Sequence, residues 1–489
     1  MQSRRDQVQA HLFVMNRLTT SLSRINPDLP DSPASRTNRG MLFGFGAAVI
    51  CCAGALLIGL IFPGHSDSWQ ADGTVVLDKQ SGSRFLYTGG LLRPLLNTAS
   101  QNLLLGPSPT VVQVDHNSLA HASHGASVGI PGAPDSWPAP ADLATQSWQV
   151  CSTRADGDTS ASGGEATRLV IGDPVGGVIG DAQALLITAP DGADYLVWHG
   201  TRLRIPHPSW QLPALGYGSL TLRRVSVAFV NSLPQGPDLT VPALPGLGER
   251  GTALAGVPVR VGQVFKVDVP GGPAHYAVYT RSGFTRVTAT VAALLTGDPE
   301  VRRLAYGGGT ADVREVGQGE VQSAETPGAG LLADSGVPTS PPEVSNVPEG
   351  TAACVLVGPS ANGGVTVSVA LVPQAAGLRG DGAVPAQTPA LATVAACVPV
   401  EQIRVRAGSG ALIRGLGATG TEMGGTVFLV TDLGVKYLVP TTAALTALGY
   451  TASDERGLPA AMLAMLPTGP DLNPEAAANE TGETSPTPC

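Results

Sequence analysis

Asp115, His116, His121 and His124 form the only ligand-rich cluster in the chain. A metal site would need neutral imidazoles converging on one point. Their spacing fits no zinc signature, and the surroundings are glycine-rich loop text. Solvated loop histidines are the better reading, and no metal ligand is assigned. Gly415-Leu416-Gly417-Ala418-Thr419-Gly420 satisfies G-x-G-x-x-G by letter. The phosphate-binding form needs a strand before it and a helix N-terminus after it, so that backbone N–H groups face the anion. Thr421 to Val430 instead continues toward a strand, so a strand-leading loop is expected and no cofactor. Lys79, Lys266 and Lys436 are the only lysines, and Asp78, Phe265 and Val435 precede them. The sequence G-x-x-x-x-G-K-[ST] is therefore absent, and with it a Walker-type nucleotide site. Nothing here has the make-up of an active site, and no catalytic residue is assigned.

The cysteines divide by position. Cys51 and Cys52 lie in an apolar run and read as small apolar residues. Cys151, Cys354, Cys397 and Cys489 lie beyond it, in what is expected to be a disulfide-permissive compartment. Four cysteines allow about three pairings, and spacing does not choose among them. Cys489 ends a Pro/Glu/Thr/Ala tail without apolar periodicity and is expected to be unpaired. No C-x-x-C occurs, which argues against a zinc or thioredoxin-type site.

These residues must be carried by an unusual frame. Met41 to Phe62 contains no charged side chain. At about 1.5 Å per residue such a helix spans roughly 33 Å, enough for a bilayer core of about 30 Å. Arg4, Arg5, Arg17, Arg24, Arg36 and Arg39 precede it, whereas Lys79 stands beside Asp67, Asp72 and Asp78 after it. That asymmetry predicts a cytosolic N-terminus and an external body. A cleaved signal peptide would have a shorter leader and a shorter apolar region than these, and the text that follows is His65-Ser66-Asp67-Ser68-Trp69, so an anchor is expected in preference to a signal peptide. Before the span, Val8, Leu12, Met15, Leu18 and Leu22 recur at helical steps between Arg5 and Arg24. Such a stripe wants a partner, either the inner membrane surface or, since its polar face is not strongly basic, a cytosolic protein. The net charge of −9 argues against nucleic acid.

Gly (62) and Pro (41) exceed a fifth of the 489 residues, a strand-and-turn composition below the level of general disorder. Val225 to Leu239 (VSVAFVNSLPQGPDL) and Leu458 to Leu472 (LPAAMLAMLPTGPDL) share Leu-Pro-x-Gly-Pro-Asp-Leu. Upstream of each the same grammar is read: strand, turn, aromatic-bearing strand, helix. The segments are Ala184 to Ala189 with Tyr195 to His199, and Thr426 to Thr431 with Lys436 to Pro440. Val264 to Val269 and Thr74 to Asp78 open two further copies, each followed by a glycine-bearing turn of hairpin type. Four ββα-like units result. The expected division is an N-terminal helix and linker over 1–40, a span over 41–62 and a first repeat over 63–110. A central core part over 111–178 and repeats over 179–245 and 255–301 follow. A second core part takes 302–411, a fourth repeat 412–472 and a disordered tail 473–489. Residues 323–350 read as exposed loop.

Arg4-Arg5-Asp6-Gln7-Val8-Gln9-Ala10-His11, the single span, Arg93-Pro94-Leu95-Leu96-Asn97-Thr98-Ala99-Ser100 and Gly129-Ile130-Pro131-Gly132-Ala133-Pro134 follow one another in order. Together they resemble the EccB family, the membrane-anchored core component of type VII (ESX) secretion systems. Two departures are noted: His124 where a basic Arg is expected before Gly129, and the extra external Cys397. The resemblance implies an α+β chain: one transmembrane helix, then an elongated periplasmic domain with a β-rich central core flanked by four repeats in quasi-twofold arrangement. It implies one core disulfide, by position Cys151 with Cys354, for which Cys397 is a competitor. It implies a complex with the motor ATPase EccC and with EccD and EccE, self-association, and a subsidiary contact with cell-wall glycan. Some family members are labelled ATPases, a label that no motif here receives.

Overall fold

The computed structural model describes residues 4–23, 33–61, 69–154, 165–173, 176–254, 256–321, 336–359, 364–373, 392–398, 400–417 and 422–479. Two helices come first, α1 (Arg4–Ser23) and α2 (Pro33–Ile61). The apolar stripe of α1 is exposed from Val8 to Leu22. Within α2, Thr37–Ile58 is long and apolar enough to cross a membrane, with a mean hydropathy of 2.4. The helix begins earlier than the apolar run because nothing between Pro33 and Gly40 breaks it. A proline in the first turn loses no intrahelical bond.

From Trp69 onward the chain is β-rich. A first unit holds β1 (Thr74–Asp78), β2 (Arg84–Thr88), β3 (Leu91–Pro94), α3 (Thr98–Leu105), β4 (Val111–Val114) and α4 (His116–Leu119). Next come β5 (Trp148–Arg154) and β6 (Glu165–Ile171). A second unit holds β7 (Gln183–Thr188), β8 (Asp194–Trp198), β9 (Thr201–Ile205), α5 (Pro208–Ala214), β10 (Arg223–Arg224) and α6 (Val227–Asn231). The third holds β11 (Val264–Asp268), β12 (His275–Thr280), β13 (Gly283–Val287), α7 (Ala289–Gly297), α8 (Pro299–Ala305), β14 (Arg314–Gly317) and α9 (Gln318–Val321). Then follow β15 (Glu343–Val344), β16 (Thr351–Pro359), β17 (Val365–Pro373) and β18 (Gln402–Val405). The fourth unit holds β19 (Ala411–Leu416), β20 (Glu422–Val430), β21 (Lys436–Val439), α10 (Thr442–Ala447), β22 (Arg456–Pro459) and α11 (Ala460–Leu463), and α12 (Pro474–Ala478) ends the described chain.

All four units share one wiring. Three antiparallel strands are followed by a helix, and a fourth strand returns to pair parallel with the first. The repeat is therefore larger than the expected ββα. Its fourth strands, such as β4 and β14, fall in stretches read as central core. The two copies compared above are also offset by one strand: Ala184 to Ala189 is a first strand, whereas Thr426 to Thr431 lies in and just after a second. Asp-Gly-type turns close either hairpin equally well, so the turn alone does not say which hairpin it closes.

The units pack in pairs. Ala99 and Leu103 of α3 share a core with Leu445 of α10 and Ala477 of α12, joining the first unit to the fourth. Leu294 of α7 enters the core of the second unit, where a Cβ on Gly297 would lie 2.3 Å from that of Ala214. Only glycine permits that helix approach. Residue 473 begins a capped helix, not a structureless tail: the Asn473 side chain accepts from the Glu475 N–H, and Ala477 is fully buried. Likewise the stretch read as loop over 323–350 carries β15, which pairs with β7. Residues 322–335 and 480–489 lie outside the described residues.

Between the pairs lies a five-stranded sheet in the order β17-β16-β5-β6-β18. Ala352 to Val357 are all buried, because both faces of this sheet are covered. Trp148, Val150, Ala353, Val355 and Val357 face the largest core, and Cys151, Ala352, Cys354 and Leu356 face the other way.

Candidate functional site

The chemistry-bearing residues of the sequence do not converge; what the fold concentrates instead is a set of structural devices. Cys151 on β5 and Cys354 on β16 stand opposite each other in antiparallel register, and their sulfurs are bonded at 2.10 Å across 203 residues of chain. Both are fully buried. Cys397 is itself disulfide-bonded and takes neither of them as partner. Cys489 lies outside the described residues, and the free thiols described are Cys51 and Cys52 on the apolar helix.

A second device joins two motifs that the sequence displays separately. Asn97 caps α3 by accepting from the Ser100 N–H, while its amide donates to the Ile130 carbonyl at 2.7 Å. Ser100 Oγ in turn accepts from the Ile130 N–H at 2.8 Å, and the Ala99 N–H donates to Pro134. The N-T-A-S and G-I-P-G-A-P stretches are thus two halves of one buried hydrogen-bonded joint. Gly129 sits at φ +128 against the Ser100 side chain, a position and conformation closed to other residues.

The repeated L-P-x-G-P-D-L is the third device. It runs parallel along the outer edge of the third strand and saturates it. The Arg202 N–H donates to Pro234, Gly236 donates back to Arg202, and Leu239 donates to Arg204. In the fourth unit Lys436 donates to Pro467, Gly469 to Lys436, and Leu472 to Leu438. An exposed strand edge invites pairing with other chains, and this strap removes it. The cation at its start does a second task. Arg202 Nη1 donates to the Val230 carbonyl at 2.8 Å, and Lys436 Nζ to the Leu463 carbonyl at 2.6 Å, each near the end of the short helix that precedes the strap, α6 or α11. Each also lies near an aromatic face, Tyr195 at 5.8 Å and Phe428 at 5.9 Å. Burial lowers the Lys436 pKa to about 8.

A further repeat escaped the sequence reading. Ala214-Leu215-Gly216-Tyr217 and Ala447-Leu448-Gly449-Tyr450 end α5 and α10 alike, with Gly216 at φ +84 and Gly449 at φ +90. Tyr217 Oη donates to the Pro342 carbonyl at 2.7 Å, and Tyr450 Oη to that of Pro138. Burial raises both phenol pKa values. A search for short identities near the helix ends would have found this pair.

The four ligand-type residues take separate roles. Asp115 lies 3.6 Å from Lys79. His116 Nδ1 is 2.9 Å from the nearly buried Asp78 Oδ2, and that hydrogen bond, followed by one from Ser81, lowers the Asp78 pKa to about 2. His124 packs edge-on against Phe85, and His121 is exposed at the end of α4. Among the described residues no group of three or more His, Cys, Asp or Glu could hold a metal ion. Gly415 and Leu416 belong to β19 and Gly417 follows it, in the hairpin to antiparallel β20; residues 418–421 lie outside the described residues. The next described element is the strand β20, not a helix.

Comparison with known proteins accords with this architecture. The family described as "Type VII secretion system ESX-1, transport TM domain B" (EccB) matches residues 1–486. The chain is 30% identical over 302 residues to a Mycobacterium marinum protein named "ESX-5 secretion system ATPase EccB5", a match covering 60% of this chain and 59% of that relative, less than two thirds of its length. It is similar in structure to a chain of an intact ESX-5 inner membrane complex, with a TM-score of 0.64 at 25% identity over 98% of this chain and 95% of that one. A solved EccB3 dimer from an ESX-3 core complex shares the fold, with a TM-score of 0.64 at 24% identity, covering 83% of this chain and 99% of that one. With a match running from its first residue almost to its last, the chain belongs to the EccB family of type VII secretion proteins.

Proposed function

We propose that this chain is a structural subunit of a type VII secretion complex in the inner membrane. One observation carries the reading: the family match and the fold of an ESX-5 inner membrane complex chain both extend over essentially the whole sequence. The arginines before the apolar run and the carboxylates after it favour a cytosolic N-terminus and a periplasmic body. On this reading α2 anchors the chain, α1 offers its exposed stripe on the cytosolic side, and the disulfide-stapled body joins protomers, self-association included. Partners in that assembly are the motor ATPase EccC with EccD and EccE. Mild detergent extraction of the tagged full-length protein tests this. An FtsK/SpoIIIE-type ATPase should co-purify, and recovery of the chain alone counts against the assignment. Cell-wall glycan pulled down with no motor would support a generic wall anchor instead.

The ATPase in the names of relatives gives a second reading. The devices found here are hydrogen-bonded joints and sheet closures, and the sequence lacks the lysine loop that cradles a nucleotide. Our reading is that the body does not turn over ATP. Phosphate release by the purified protein that survives removal of contaminating ATPases, and is abolished by a point substitution, would reverse it.

A further inference from the structure

The outer edge of β7 is shared by two short strands with a step between them. β15 pairs with Gln183 and Ala184, and β10 with Ile187 and Thr188, both in parallel register. Leu185 and Leu186 fall in the step. The carbonyls of Ala184 and Thr188 accept from the Ser345 and Val225 N–H groups, so the even-numbered residues of β7 turn their backbone groups outward. Leu186 therefore aims its N–H into the step, and among the described residues no segment on that edge accepts from it.

The step opens into a cavity of about 250 Å³. Two more donors line it. The Arg223 Nε and Ser345 Oγ atoms are buried, and among the described residues neither has a hydrogen-bond partner. A buried donor left unpaired costs stability, so three of them on one cavity call for an acceptor. The charged lining is Arg223, Arg224 and Glu165, two cations against one carboxylate. Glu165 stands 3.9 Å from Arg223 Nη2, which leaves the Nε edge of the guanidinium unclaimed.

The fourth unit has the same step without these donors. There Ala144 donates its N–H to Gly410 as Ser345 does to Ala184, and Arg456 pairs with Ile413 as Arg223 does with Ile187. Alanine brings no hydroxyl, and Arg456 Nη1 donates to the Ser453 and Glu455 carbonyls. The repeat fold therefore does not require a hydroxyl and an open guanidinium edge at this position; the second unit adds them.

We infer that the step between β15 and β10 is a binding site for a carboxylate. One oxygen accepts from the Leu186 N–H, where the carbonyl of a longer strand would stand, and from Ser345 Oγ. The other accepts from Arg223 Nε, and Arg224 supplies the balance of charge. A carboxylate suits this set because it is planar and only accepts, as a guanidinium fork and a strand-edge donor demand. The cavity admits a small organic acid or the C-terminal residue of a peptide. Ser345 arrives after the third unit and Arg223 belongs to the second, so an occupied site ties the two together.

Calorimetric titration of the full-length protein in detergent at low ionic strength tests this. The probes are succinate, N-acetyl-alanyl-alanine and the amide of that dipeptide. Saturable binding of an acid is expected, with the amide weaker by about tenfold or more, because it lacks the charge that an arginine pairs with. Binding of succinate alone identifies a small acid, and binding of the dipeptide acid alone a chain terminus; each supports the site, as does binding of both. Ser345→Ala should weaken binding by about three- to tenfold and leave the thermal midpoint unchanged, since the hydroxyl has no partner to lose. Arg223→Lys keeps the charge but not the fork, and should weaken binding by about tenfold or more. No saturable binding of either acid overturns the inference. So does an amide that binds as well as its acid, or a Ser345→Ala protein that binds like the wild type.

Discussion

At the scale of single residues, Lys436 shows what burial does to a charge. The residue is 7% exposed, and its ammonium lies against the Leu463 carbonyl and the Phe428 ring. Its pKa is therefore lowered to about 8 in the folded protein. Below pH 8 both folded and unfolded states hold the proton, and the burial penalty is complete. Above it the unfolded chain binds more protons, so stability rises with pH. Relative to Lys436→Met, the wild type should gain roughly 2–3 kcal/mol between pH 8 and pH 10, measured by chemical denaturation at each pH. Equal slopes for the two proteins would refute this. Asn97 makes a different case, because one side chain both caps α3 and satisfies a buried carbonyl. Asn97→Ala should destabilise by about 2–3 kcal/mol, the cap and the orphaned Ile130 oxygen together, with the loss seen as a lowered unfolding midpoint.

At the scale of elements, the strap explains why glycine recurs where its neighbours vary. Gly469 lies against the Tyr437 ring, with a would-be Cβ 2.2 Å from Cε1. Gly469→Ala must push that ring or lift the strap, at about 1–3 kcal/mol. Pairing it with Tyr437→Leu should recover part of the loss in thermal denaturation, whereas an alanine that is harmless alone would show that the strap has room to move. The strand alternation of the central sheet is an element-scale fact too. Successive residues of β16 face opposite cores, which is why Cys354 meets Cys151 while Val355 meets the larger core.

For the whole molecule the central bond is the 203-residue closure. It links two strands that come from opposite ends of the second and third units, so it restrains how the paired units separate in the unfolded chain. Replacing both Cys151 and Cys354 by Ala should cost about 2–5 kcal/mol, depending on native strain. Non-reducing peptide mapping should yield one fragment joining Cys151 to Cys354, and a Cys151–Cys397 fragment would contradict the structure. The pairing of first unit with fourth and second with third also predicts that helix-face substitutions such as Ala214→Leu will loosen two units at once, because Gly297 leaves no space there.

Local physics made much of this legible in the sequence. An uncharged run of bilayer length reads as a span because no water is needed to satisfy a helix, and hairpins announce themselves through residues that tolerate positive φ. The L-P-x-G-P-D-L pair marked repeats because both proline and glycine there answer to backbone constraints. The third and fourth strands of the second unit were not legible, since Thr201–Ile205 and Arg223–Arg224 are too short and too polar on their outer positions to alternate clearly. Nor was the joining of Asn97 to Ile130, or of Ser123–Val128 to Leu92, because a hydrogen bond to a backbone group sets no demand on the partner's side chain. Sequence by itself determined the span, the turns and the repeat count. Only the tertiary structure decided which edges the straps close and which units pair, because those choices rest on backbone bonds and glycine-sized gaps between segments distant in the chain.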